Sequence, residues 1–283
     1  MNLLVAGLFC LVSFSSLAAN EALQNRTDNS DTTVPLFPEP VSYHFDTLKG
    51  KSVVADFTTT YTAEQRDIIY AINRISSSRI GAGRVLVVPD TLSAEILDYS
   101  PYPDSVKAFD TLPKLVLISR RIQAFAIYEN GQLTRWGPVS SGKKSTPTPA
   151  GLFHTNFKAK IKISSENSEW IMPWYFNFYA RRGIAMHQFY LPGYPASHAC
   201  VRMQEKDAKW IFDWADQWRV SGKTGAVTKV GTPVIIFGDY DFTKPVPWIN
   251  LPGDKLSTQV KESEFEEIYS YLPVIHTDVI LRK

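Results

Sequence analysis

Met186-His187-Gln188, a short connecting segment, and Ser197-His198-Ala199-Cys200-Val201-Arg202-Met203 bring two of the chain's five histidines within 13 residues of a cysteine. Residues 184–187 read as a strand, and residues 189–196, with Pro192, Gly193 and Pro195, as a shaped loop. Three chemistries fit this pattern. In the first, Cys200 is a nucleophile. A thiolate attacks carbonyls far better than a thiol, so such a cysteine needs a base or a positive environment. His187 supplies both, first as proton acceptor and then as imidazolium. A helix is expected after Met203, and a thiol just before it would gain from the helix dipole and backbone N–H groups. Arg202 adds a fixed positive charge, suited to a substrate carboxylate or to orienting the loop. In the second, His187, His198 and Cys200 are three zinc ligands, although no CxxC or HExxH accompanies them. In the third, His198 is a hydrogen-bonded core histidine and Cys200 a small buried residue. Spacing alone leaves the three open.

The whole chain narrows the context. It has 283 residues and a formal net charge of +2, without the basic excess of a nucleic-acid binder. Hydrophobic residues make up 44% and charged residues 20%, which argues for a folded protein over a disordered one. Residues 3–17 are apolar or small, with no charge before Glu21, and Ser16-Leu17-Ala18-Ala19 follows the pattern of a cleavage site. Residues 1–19 therefore read as a secretory signal peptide and not as a membrane span. Cleavage would remove Cys10 and leave Cys200 as a lone thiol in an exported protein, with no internal disulfide partner.

Residues 20–58 read as a flexible polar leader. Residues 59–111 read as a small α/β segment. Thr62 and Gln65 have capping-box spacing, a helix is expected over 63–75, and 85–89 read as a strand stopped by proline. Helix, Asn73, glycine turn, strand and Pro89 resemble the end of a LysM domain, a module that binds peptidoglycan, but lack a clear first strand. A purely structural segment is the alternative. Strands are expected over 114–119, 122–128, 133–139, 157–163 and 231–237, with a hairpin at Asn130-Gly131. In 157–163 the alternation predicts Lys158, Lys160 and Lys162 on a solvated face and Ile161 and Ile163 on a buried one. After Met203, Ala208, Ile211, Phe212, Ala215 and Trp218 share one helical face. Residues 239–283 read as a C-terminal extension with a helix over 262–271.

Ser197-His198-Ala199-Cys200-Val201-Arg202 resembles the signature of the YkuD-type L,D-transpeptidases, Ser/Thr-His-Gly-Cys followed by an apolar residue and Arg or Asn. His187 matches the histidine that precedes that signature. The hairpin over 122–142, Thr148-Pro149-Ala150-Gly151-Leu152-Phe153, Asp207-Ala208 and Gly231-Thr232-Pro233-Val234 also fit, so the resemblance spans residues 112–238. It implies a strand-rich mixed α/β fold: a β-sandwich-type catalytic domain with one main helix after the cysteine motif, beside the small N-terminal α/β segment. It implies Cys200 as nucleophile and His187 as general acid and base, its ring oriented by the Gln188 carbonyl. Backbone N–H groups of His198, Ala199 and Cys200 would form an oxyanion hole, and Arg202 would organise the site or engage a carboxylate.

The resemblance further implies peptidoglycan stem peptides as partners, a wall-anchored protein as an alternative acceptor, no metal or organic cofactor, and a periplasmic or envelope location. A hydrolytic L,D-carboxypeptidase and a weakly active peptidoglycan-binding protein are the alternatives. Ala199 departs from the family pattern, which has glycine there; a positive φ at that position would cost alanine about 1 kcal/mol or more.

Overall fold

The computed structural model describes residues 35–93 and 95–281, so the expected signal peptide and the leader up to residue 34 lie outside the described residues. In chain order the elements are β1 (Tyr43–Thr47), α1 (Val53–Thr60), α2 (Ala63–Asn73), β2 (Val85–Pro89), β3 (Leu115–Ser119), β4 (Ala124–Glu129) and β5 (Gln132–Ser140). Then come β6 (Gly151–His154), β7 (Lys158–Ile163), β8 (Ile171–Tyr179), β9 (Ile184–Gln188), β10 (Val201–Met203) and α3 (Glu205–Trp214). The chain closes with β11 (Arg219–Val220), β12 (Val227–Lys229), β13 (Pro233–Phe237), α4 (Glu262–Tyr269) and α5 (Leu272–Leu281).

The N-terminal unit is strand, helix, helix, strand, with β1 antiparallel to β2. Its first strand and most of its first helix fall inside the stretch expected to be a flexible leader, which corrects that boundary. The reason is physical. β1 buries little and shows no clean alternation. α1 buries only Val53 and Phe57 and ends in three threonines, whose β-branching argues against a helix. Their hydroxyls return to helix carbonyls: Thr58 donates to Val54 O at 2.7 Å and Thr60 to Asp56 O at 2.8 Å. In α2 the capping box forms as expected, with Gln65 N donating to Thr62 Oγ1 and Thr62 N to Gln65 Oε1. Asn73 then ties helix to strand, its amide donating to Val87 O and its carbonyl accepting from Val87 N.

The large sheet has nine strands in the order β6-β13-β3-β4-β5-β10-β9-β8-β7. Only β13 with β3 and β10 with β9 are parallel pairs. The central strands are buried on both faces. Leu115 and Leu117 of β3 join one core with Trp136, Phe237, Trp248, Phe265 and Ile268. Val116 and Ile118 join the other with Phe176, Met186, Val201, Met203 and Ile211. Strands from β3 to β13 contribute to that second core, so one curled sheet packs its own halves together with α3 as the main helix. The fold is strand-rich mixed α/β, as expected. The hairpin at Asn130-Gly131 has φ of 48° and 78°, the positive pair of a type I′ turn.

Two expectations fail locally. Trp218 lies beyond α3, whose C-cap is Ala215. In β7 the expected buried face does not form: Ile161 and Ile163 are 65% and 56% exposed, and Lys160 and Lys162 are exposed as well. Lys158 instead sets its ammonium over the rings of Phe176 and Phe212 and donates to the Phe212 carbonyl in the last turn of α3. β7 is an edge strand paired only with β8, so the outer face of its apolar residues meets no second layer.

Arg74 joins the N-terminal unit, the sheet and the C-terminal extension. It caps α2 in the left-handed conformation, with φ of 56°, and is 2% exposed. Its guanidinium donates to the carbonyls of Ala71 and Ile72 at the end of its own helix and to Ile122 O at 2.9 Å. It also lies 5.5 Å from the Trp136 ring centroid and 5.3 Å from that of Trp248. Burial lowers its pKa to about 10, which leaves it charged at neutral pH. Arg74→Met keeps the apolar stem but strands buried carbonyls. It should lower unfolding free energy by about 3 kcal/mol, read from urea midpoints at constant slope.

Candidate active site

The geometry follows from strand periodicity. β9 and β10 run parallel with Arg202 opposite His187 and Val201 opposite Met186. Met186, Val201 and Met203 point into the second core. Their alternate neighbours His187 and Arg202 therefore point to the opposite face. Cys200, one residue before β10, packs with Ala185, Met172 and Tyr175 on that same face. His187, His198, Ala199, Cys200 and Arg202 all line one cleft of about 440 Å³. The structure thus brings together every site residue singled out in the sequence.

His187 is 5% exposed, and its Nδ1 lies 2.9 Å from the Gln188 carbonyl. A carbonyl only accepts, so Nδ1 carries the hydrogen and Nε2 keeps its lone pair. Burial is the main cause that lowers the His187 pKa to about 4; the Gln188 carbonyl opposes it and the Arg202 charge adds to it. The imidazole is neutral at physiological pH. Burial also pushes the Cys200 thiol up, against smaller lowering by the Ala185 backbone and Arg202. The resting pair is thiol and neutral imidazole. The expected help from a helix dipole is absent, because β10 separates Cys200 from α3. Cys200 Sγ instead lies 3.9 Å from the Gly183 carbonyl, which also accepts from the Tyr175 hydroxyl at 3.0 Å.

Ala199 has φ of 80°, the region that favours glycine. It is held there: the Thr148 hydroxyl donates to Ala199 O at 2.8 Å and accepts from Gly142 N at 2.8 Å. His198 is exposed. It faces the Trp170 ring with centroids 4.6 Å apart, and its Nε2 lies 3.2 Å from Lys143 Nζ. Desolvation, then Lys143 and Arg202, lower its pKa. The Arg202 guanidinium lies 4.7 Å from the Phe189 ring and 5.0 Å from that of Tyr190. Its Nη1 is buried and has no hydrogen-bond partner among the described residues. Such a group suits an anionic oxygen.

Tyr175 and Trp170 were not legible as site residues. They come from β8 and its approach, an aromatic run without alternation, where Trp174 at φ of 54° marks an irregularity that re-aims the side chains. As for metal, no group of three or more His, Cys, Asp or Glu side chains suited to an ion occurs among the described residues.

Residues 113–236 match the model of the YkuD family, the L,D-transpeptidase catalytic domain. L,D-transpeptidase 1 of Mycobacterium tuberculosis is 28% identical over 148 residues, which covers 47% of this chain and 54% of that protein. The chain thus spans about half the length of this curated relative. Among solved structures, an L,D-transpeptidase from Stackebrandtia nassauensis aligns with a TM-score of 0.37 at 20% identity, over 45% of this chain and 57% of that one. L,D-transpeptidase 1 from Mycobacterium tuberculosis aligns with a TM-score of 0.34 at 24% identity, over 44% and 62%.

Two measurements check the geometry. Iodoacetamide should alkylate Cys200 with a pH midpoint above that of a free cysteine; a rate already flat at pH 5 would mean a thiolate–imidazolium pair. At Ala199, relief of about 1–2 kcal/mol of left-handed strain is offset by chain entropy of about 0.4–1 kcal/mol and a lost buried methyl of about 0.8 kcal/mol. Ala199→Gly should therefore leave stability within about 0.5 kcal/mol, whereas the β-branched Ala199→Val should lose about 2 kcal/mol or more in urea unfolding.

Proposed function

We propose, from the match of residues 113–236 to the L,D-transpeptidase catalytic-domain family, that the protein is a cysteine-dependent acyltransferase acting on peptidoglycan stem peptides. The observation that carries this reading is the His187–Cys200 arrangement. A neutral imidazole with its free Nε2 and a thiol on the same sheet face open into one cleft. As substrate binds, the thiol proton passes to His187 Nε2 while Sγ forms a bond to the carbonyl carbon of the third stem residue. The carbonyl oxygen gains negative charge, to be met by backbone N–H groups of His198, Ala199 and Cys200. The positive φ at Ala199 is the kind of backbone conformation that turns successive N–H groups to one side.

The bond to the terminal D-amino acid then breaks, and the imidazolium protonates the leaving amine. An acceptor amine attacks the thioester, gives a proton to His187, and the thiol is restored. A second stem yields a 3–3 cross-link, a lysine of a wall-anchored protein yields attachment, and water yields the carboxypeptidase reaction. Arg202, which lines the cleft, receives the carboxylate of the leaving D-amino acid. Action on peptidoglycan puts the protein in the periplasm or envelope. The β1-α1-α2-β2 unit, with its first strand in place, supports a LysM-like role in holding the glycan. No helix among the described residues is long and apolar enough to cross a membrane.

Incubation with a disaccharide tetrapeptide, read by mass spectrometry, tests the reading. Dimers linked 3–3 are expected, and tripeptide alone would indicate hydrolysis. Cys200→Ala should abolish both products, and unchanged products would remove the mechanism. A carbapenem should add covalently to Cys200. Because His187 must be neutral to accept the proton, the acid limb of kcat/KM should rise through pH about 4, well below an ordinary histidine.

A further inference from the structure

Among the anchors of the loop between His187 and Cys200, two hold residues 191–196. Near its end the sheet itself holds it: the Ser140 hydroxyl donates to Tyr194 O at 2.8 Å and accepts from Ala196 N at 3.1 Å. The second anchor comes from the N-terminal unit, outside the segment that matches the catalytic family. Ser76 N donates to Leu191 O at 3.0 Å, and Leu191 N donates to Ser76 Oγ at 2.8 Å. Ile75 forms an antiparallel bridge with Pro192, and both Ile75 and Leu191 are fully buried. Gly193, at φ of 95°, sits so close that an added Cβ would lie 3.2 Å from Ile75 Cγ2.

Immediately before this seam stand Phe189 and Tyr190, the two rings against the Arg202 guanidinium. Phe189 also faces the His187 ring, with centroids 6.1 Å apart. A shift of Leu191 would move the rings that aim Arg202. We propose that Ser76 is a positioning residue of the active site: by fixing Leu191 it holds Phe189 and Tyr190 against Arg202, which lines the cleft and whose guanidinium receives the terminal carboxylate of the donor stem. The N-terminal unit is then part of the donor site as well as a neighbour of it. This inference rests on the acyl-transfer reading given above.

The test compares two donors, a stem tetrapeptide with a free C-terminal carboxylate and the same peptide as C-terminal amide. The parent enzyme should prefer the acid. Ser76→Ala, checked for a retained cooperative melt, should raise KM for the acid by about tenfold, as expected for one mis-set charged contact, with kcat nearly unchanged and the amide unaffected. Ser76→Thr, which keeps the hydroxyl, should restore the preference, and Arg202→Gln should lose it as Ser76→Ala does. Gly193→Ala disturbs the same seam from the loop side and should lose the preference too, so the test survives if Ser76→Ala does not fold. Equal losses on acid and amide, or a retained preference in both Ser76→Ala and Gly193→Ala, would overturn the inference while the function stands. Failure of the parent enzyme to release the terminal residue from either donor would remove the functional reading itself, and the inference with it.

Discussion

Two parallel neighbours in a sheet cannot be joined by a tight turn, because the chain must return to the same end from which it started. β9 and β10 are such a pair, with Arg202 opposite His187. The connection between them, residues 189–200, carries no helix, unlike most parallel crossovers. It must still deliver Cys200 to the strand end in register. The register puts the His187 imidazole and the Arg202 guanidinium side by side, and the connection brings the Cys200 thiol to the same face. Bonds from Ser140, Ser141, Thr148 and Ser76 supply the order that a crossover helix would otherwise give. The site is therefore a consequence of a sheet topology that needs outside fastening.

That fastening explains why the pieces flanking the catalytic segment are built into its core. α2 and β2 share the first core with β3, β4 and the C-terminal helices. Arg74 fills the junction, a cation without a carboxylate partner among its hydrogen bonds, satisfied by three carbonyls and two indole faces. Arg121 and Glu264 form a second tie, 2.7 Å apart and largely buried, between the loop after β3 and the first turn of α4. Residues 239–281 thus include core-forming helices, with Phe265 and Ile268 packed on the sheet.

Much of this was legible because its signals are local. The capping box at Thr62 and Gln65, the Asn130-Gly131 hairpin and the apolar runs of β3 and β13 each specify structure within a few residues. The site motif was legible for the same reason: Ser197 to Arg202 is contiguous, and His187 lies on the adjoining strand. What stayed hidden depends on distant partners. β1 gains its identity only from pairing with Val85–Pro89, and the threonine-rich α1 from side-chain returns to its own carbonyls. The exposed isoleucines of β7 reflect a missing second layer, which no alternation reveals. The electrostatic character of Cys200 was expected from the coming helix but is set by burial against Ala185, Met172 and Tyr175. The seam at Ser76 joins residues more than a hundred positions apart, and nothing in either segment marks it.

Burial of the thiol has a chemical consequence beyond the reaction itself. Peroxides, disulfides and other thiol oxidants react with the thiolate and hardly with the protonated form. Cys200 is the only cysteine among the described residues, so no neighbouring thiol there could rescue a sulfenic acid by forming a disulfide with it. A thiol kept protonated by burial is shielded from oxidative loss, and in the proposed role of nucleophile it gives up some intrinsic reactivity for that protection.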